Sequence, residues 1–244
     1  MAENISTGQV FEIPELLYHT TLTVIDYRAD ASGAIRPVYV LATHTNLETA
    51  KKYAATRALP DLGYEPDDFV EYAVRPHTGE DWPHGDGVIV YAKAPAGQVF
   101  LVGLDTKPNT ESLPAKPDGS DTLQLPDGCD HLHYVLQTII DYNRDRSGAI
   151  QKTEIEGCYV HRKDAFKAAK EVLLAGELEK KDFDQYDERD EELPEDWPFG
   201  DDVVVHAVAP TGENYSVAVR TIPGAHEKHH KRRAGHSENR EVQH

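Results

Sequence analysis

Slid against itself by 115 residues, the chain brings two long stretches into register, and this repeat constrains the fold more than any other feature. Thr23-Val24-Ile25-Asp26-Tyr27 falls on Thr138-Ile139-Ile140-Asp141-Tyr142, and Asp30-Ala31-Ser32-Gly33-Ala34-Ile35 on Asp145-Arg146-Ser147-Gly148-Ala149-Ile150. Farther along, Glu80-Asp81-Trp82-Pro83-His84-Gly85-Asp86 meets Glu195-Asp196-Trp197-Pro198-Phe199-Gly200-Asp201, and Ala94-Pro95-Ala96-Gly97 meets Ala209-Pro210-Thr211-Gly212. Between these anchors Asp68-Phe69-x-x-Tyr72-x-x-Arg75 matches Asp182-Phe183-x-x-Tyr186-x-x-Arg189 at an offset of 114, so the second copy has lost one residue in the preceding loop. The 244 residues therefore divide into an extension (1–16), a first unit (17–108), a linker (109–131), a second unit (132–223) and a tail (224–244). Each unit is long enough to bury a modest core.

Within a unit the hydrophobic period changes from two to that of a helix and back. Residues 18–27 and 133–142 are rich in β-branched and aromatic types and read as first strands. The Asp, Ser and Gly that follow form a turn, and 34–43 or 149–159 returns as the second strand of a hairpin. A helix opens at Asn46 or within 161–164 and ends at Leu59 or Leu174. Its buried stripe is Ala50, Ala54 and Leu59, and in copy 2 Ala165, Phe166, Ala169, Val172 and Leu173. A short strand near 69–74 follows, weaker in copy 2, and two clear strands close each unit, at 88–92 and 99–102 and at 203–207 and 215–219. The expected class is α+β: two homologous units, each an antiparallel sheet with one helix packed on a face. Residues 109–131, rich in Pro, Gly, Asp and Ser, read as an exposed linker. The tail holds nothing that could form a core and is expected to be disordered.

The hairpin motif DYxxDxSGAI, the alanine-rich helix and the acidic DWPxGD loop together resemble small tandem-duplicated proteins of filamentous fungi, across both copies. The resemblance implies no activity, cofactor or site residue.

Charge narrows the choice of partners. The chain carries 25 Lys and Arg against 43 Asp and Glu, a net charge of -18, which argues against the folded body holding a nucleic-acid backbone. Thirteen carboxylates face only Lys180, Lys181 and Arg189 between Glu177 and Asp202, a stretch that can attract a basic partner. No apolar run could cross a bilayer, and the first residues lack a basic segment followed by an apolar one, as expected of a cytoplasmic chain. Cys129 and Cys158 are too few for a disulfide scaffold. In the tail, HEKHHKRR, with His226, His229 and His230, reads as a solvated segment, a weak metal binder or a nuclear-import signal.

Candidate site residues lie in the copied loops. Asp81, Trp82 and Asp86, with Asp196, Trp197 and Asp201, place the chain's two tryptophans between carboxylates, so a ligand could stack on an indole while carboxylates accept its donors. The competing explanation is structural, with Trp stapling the loop to the sheet and Asp bonding nearby amides. Asn143, Asp145, Ser147 and Glu154 have the spacing of a calcium loop, against which stand the flanking strands and a first copy with Arg28 and Tyr39 at two of these positions. His19, His44, His84 and His206 align with Tyr134, Tyr159, Phe199 and Tyr91, the behaviour of packing positions rather than of a duplicated catalytic histidine. His131 and His133 beside Cys129 are a fragment of a metal site at most. No nucleotide, metalloprotease or nucleophile-elbow motif is present, and no cofactor is implied. The leading expectation is a non-catalytic binding or interaction protein. The alternative is an enzyme with a carboxylate site between the copies, using Tyr27 or Tyr142, and calcium binding comes third.

Overall fold

The β-branched and aromatic runs of the first copy form extended strands, whose successive side chains point to opposite faces of a sheet. In the computed structural model, which describes residues 12–76, 81–176 and 178–223, copy 1 comprises β1 (Leu16–Asp26), β2 (Val38–His44), α1 (Leu47–Thr56), β3 (Glu71–Val74), β4 (Val88–Lys93) and β5 (Gln98–Pro108). Copy 2 repeats this as β6 (His133–Asp141), β7 (Gln151–Tyr159), α2 (Arg162–Glu171), β8 (Gln185–Glu188), β9 (Val203–Val208) and β10 (Glu213–Thr221). The strands form two antiparallel five-stranded sheets, ordered β2-β1-β5-β4-β3 and β7-β6-β10-β9-β8. The registers also match, since Thr23 lies opposite Leu101 and its counterpart Thr138 opposite Ser216. The two-unit α+β arrangement expected from the repeat is the one observed.

Each helix covers one sheet face, and the other two faces meet. Ala54, Ala58 and Leu59 pack on Leu22, Leu41, Val90 and Phe100, while Ala165, Phe166 and Ala169 pack on Val135, Val204 and Val217. A third core of Leu17, Val40, Tyr134, Leu136 and Ile155 lies between the sheets, so the layers run helix, sheet, sheet, helix. Asn46 starts α1 as expected, its side-chain oxygen accepting from the amides of Glu48 (2.9 Å) and Thr49 (3.2 Å). The fully buried His19 meets Tyr134, its own repeat counterpart, edge to face at 5.7 Å between ring centres. A pseudo-twofold axis therefore passes between them. On either side of it equivalent residues reach across: Asp105 accepts from the Ile155 amide (2.9 Å), and Arg220 donates to the Val38 carbonyl (2.7 Å).

Two expectations need correction. The second strands begin at Val38 and Gln151, later than the patterns at 34 and 149 suggest, because the turns are longer. Asp30 accepts from the amides of Ser32 (3.0 Å) and Ala34 (3.0 Å), and Asp145 does the same for Ser147 and Ala149, which holds both segments out of the ladder. Nor is 109–131 a bare exposed linker. Leu113 and Leu123 are buried in the core between the sheets, and Glu111 accepts from the Val160 amide at 2.7 Å. The tail, with His226, His229 and His230, lies outside the described residues.

Gly33 and Gly148 show why those turns need glycine. Their φ values are 75° and 81°, and a Cβ would stand 2.7 Å from the Tyr27 ring or 3.0 Å from that of Tyr142. Gly33→Ala and Gly148→Ala are each expected to cost about 1–3 kcal/mol, from left-handed backbone strain plus the displaced ring. Urea unfolding of the two variants would check this, and unchanged midpoints would reject it.

Candidate functional site

The copied tryptophan loops are built the same way. The Trp82 ring meets His84 at 4.7 Å, and His84 stacks on Tyr91 of β4 at 4.0 Å. In copy 2 Trp197 meets Phe199 at 5.0 Å, and Phe199 stacks on His206 of β9 at 4.1 Å. Positions that exchange histidine for another aromatic thus form one stapled stack in each copy, each with a histidine as partner. Both indoles are half-buried against the protein, while Asp81, Asp86, Asp196 and Asp201 are exposed. Asp86 pairs loosely with Arg75 at 3.7 Å.

The loops do not face one another. β2 packs against β10 and β5 against β7 across the sandwich, so β4-β3 and β9-β8 overhang on opposite flanks, each carrying its own tryptophan loop. Carboxylates of the two loops therefore cannot form one shared constellation. The copy 2 loop borders the seam between the units. There a cleft of about 580 Å³ is lined by Tyr39, His133, Arg162, Asp201, Asp202 and Arg220, with Val219, Ile222 and two prolines as apolar wall. Arg220 is paired with Asp202 while it reaches Val38, so this ion pair forms part of the cleft and holds the units together. Arg162, at the start of α2, lies over the Phe166 ring at 4.4 Å and 3.8 Å from Glu191.

Arg189 sets this side of the cleft, a role the sequence reading missed. It is buried and donates to the carbonyls of Val203 (2.7 Å), Asp190 (3.0 Å) and Asp201 (2.5 Å), pinning both ends of the tryptophan loop. The repeated Arg75/Arg189 position was the available signal.

The remaining candidates are occupied by local structure. Asp145, of the calcium-spaced set, is bonded to its own turn, chiefly through Ser147, which lowers its carboxyl pKa. Glu154 pairs with Lys152 at 2.6 Å, and the Asn143 side chain donates to Thr211. A cation would have to displace these bonds, and no cluster of three or more His, Cys, Asp or Glu side chains suited to a metal occurs among the described residues. The Cys158 thiol is buried and pushed up to about 12 by that burial and by Glu111, the opposite of an activated nucleophile. His131 and His133 lie ring to ring at 5.0 Å, with Asp130 on His131 at 2.6 Å. Three of the thirteen carboxylates of the acidic stretch are paired with lysines, Asp190 with Lys170 (2.5 Å), Glu188 with Lys180 (2.7 Å) and Glu179 with Lys181 (2.7 Å). No helix among the described residues is long and apolar enough to cross a membrane.

Compared with known proteins, the chain matches no family model, no curated protein and no solved structure.

Proposed function

We propose that the protein is a non-catalytic binding protein of the cell interior, whose site is the cleft at the seam of the two copies and whose ligand is a small molecule bearing both a cationic and an anionic group. The observation that carries this reading is the asymmetry of the seam. On the copy 2 side Arg162 and Arg220 stand with Asp201 and Asp202 around an aromatic wall at Tyr39. At the equivalent positions across the pseudo-axis stand Leu47, Asp105, Asp86, Gly87 and Glu154, without either arginine or the tyrosine. The duplication kept the fold on both sides, but the arginines stand on one side only; on the other, Lys152 and Lys107 take the places of Pro37 and Ile222, and Lys152 is already paired with Glu154 at 2.6 Å. Its volume lies in the range of small-molecule sites, and a few polar groups set against an apolar wall are what such sites use to fix orientation. Arg162 suits a carboxylate or phosphate, and Asp201 suits the cationic end. The stapled tryptophans, the separation of the two loops and the buried thiol of Cys158 support binding rather than chemistry.

Native mass spectrometry of the chain purified from its own host tests this. One retained small molecule per chain is expected, lost from an Asp201→Asn, Arg162→Gln variant whose melting temperature is unchanged. A bare chain mass, or retention that ignores both substitutions, would overturn the reading.

A further inference from the structure

The hairpin turns carry the longest identity between the copies, and their backbone bonds account for only part of it. Asp26, Asp30 and Gly33, with Asp141, Asp145 and Gly148, cap and shape the turns, and Tyr27 and Tyr142 lie over the glycines. Ile35 and Ile150 make no such side-chain bond and are exposed at 51% and 39%. Tyr27 and Tyr142 are also exposed beyond the glycine contact, at 44% and 41%. These four exposed apolar residues are the same in both copies, whereas other exposed apolar positions differ, Val70 and Val74 being replaced by Asp184 and Glu188.

The fold brings the two turns together. The Gln151 side chain donates to its own Gly148 carbonyl (2.9 Å) and to the Ala34 carbonyl of the other copy (2.7 Å). Arg36, its counterpart, donates to Gly33 (2.8 Å) and lies close enough to Asp145 to lower that carboxyl. Tyr27, Ile35, Tyr142 and Ile150 thus gather at one end of the molecule around the pseudo-twofold axis. Exposed Arg28, Arg144 and Arg146 rim them and make no ion pair among the described residues. Across residues 26–36 and 141–151 four arginines balance four aspartates, so this end is neutral on a chain of net charge -18.

We infer that this end is a homodimer interface, at which a second copy of the chain docks its own hairpin turns. Tyrosine, isoleucine and arginine are the residue types that anchor interfaces. Two chains of high like charge can approach at least cost where each is neutral. The patch has its own twofold axis, so a second twofold perpendicular to it brings both turns of one chain against both turns of the next and closes the assembly, which avoids open-ended polymers. Four apolar side chains and three arginines a side make a smaller contact than the roughly 20–30 residues of a standard interface, so the dimer is weak, with a dissociation constant on the order of 10 µM.

Sedimentation velocity of the full chain from 1 to 200 µM tests the inference. The expected result is a monomer that becomes a dimer across this range, with Ile35→Asp plus Ile150→Asp weakening association at least tenfold and leaving thermal unfolding unchanged. Leu193→Asp, an exposed apolar residue on the acidic loop, should leave the dimer intact. A monomer at every concentration, or a dimer that survives the Ile35/Ile150 double variant, would overturn the inference, as would a dimer lost in Leu193→Asp alone.

Discussion

Lowering the pH from 7 to 4.5 is expected to remove on the order of 2–3 kcal/mol of folding stability through His19 alone, and His19→Phe is expected to abolish that part of the loss. His19 lies between the sheets with no exposed surface, its Nδ1 bonded to the Thr43 hydroxyl at 2.8 Å. Its Nε2 is buried with no hydrogen-bond partner. Burial, then the charge of Lys107, hold the imidazole down from its ordinary 6.5 to about 4. The native chain therefore keeps this ring neutral while the unfolded chain takes up a proton below 6.5, so stability falls with pH through 6.5 and continues to fall until about 4. Burial also lowers His44 and His206, which act in the same direction. The bonded carboxylates Asp30, Asp145 and Asp190 are lowered too, but their unfolded forms titrate near 4, so their loss comes at the acid end of the window. An aromatic side chain fits at position 19, since its counterpart is Tyr134. The variant gives up one hydrogen bond, worth about 1 kcal/mol, and removes an orphaned nitrogen, so its stability at pH 7 should be near that of the parent. Urea unfolding at pH 7 and pH 4.5 decides the matter. Equal losses in parent and variant would show that His19 is not the titrating group.

The same residue marks the reach of the sequence. The exchange of His19 for Tyr134, and of His84 and Tyr91 for Phe199 and His206, identified these positions as packing sites because each copy served as the other's control. The same comparison located both helices and the four longer strands of each unit, since a period of two or 3.6 repeated at a fixed offset has little chance of being accidental, but four-residue β3 and β8 are too short to show a period, and the pattern left two or three strands after each helix. What it could not supply was how the units meet. The contact of His19 with Tyr134 and the reach of Arg220 to Val38 depend on distances between residues far apart in the chain, and nothing in the local pattern encodes them. For the same reason the tryptophan loops, alike in composition, could be read as halves of one site, although the sheet order puts them on opposite flanks. The 109–131 segment misled differently. Its Pro, Gly and Asp content is that of a loop, and two isolated leucines, Leu113 and Leu123, have no period to announce that they are buried.

Arg189→Met should be the most damaging single substitution at the candidate site, at about 3 kcal/mol, whereas Arg75→Met at the equivalent position of copy 1 should cost less than about 1 kcal/mol. The two arginines share a motif and differ in what lies beneath them. Arg189 is only 4% exposed, and its guanidinium stands 5.2 Å from the Phe166 ring of α2 while it donates to three carbonyls. The residue of α1 equivalent to Phe166 is Lys51, whose charge makes the same burial unfavourable for Arg75. Arg75 accordingly stays half-exposed and meets Asp86 at 3.7 Å, a separation at which a solvated ion pair contributes little. Removing Arg189 strips donors from the carbonyls of Val203, Asp190 and Asp201, and a fully apolar replacement cannot restore them. Lysine should recover less than half of the loss, because one ammonium cannot reproduce the planar fork that serves three acceptors. For a chain of this size the loss corresponds to a melting temperature roughly 6–12 °C lower. Since the freed loop carries Asp201 and Asp202, ligand retention should fail in Arg189→Met even at temperatures where the chain stays folded, and persist in Arg75→Met. Differential scanning calorimetry of the two variants, paired with native mass spectrometry at 10 °C, separates the outcomes. Equal melting temperatures for Arg189→Met and Arg75→Met would mean that the three carbonyl bonds do not hold the loop in solution.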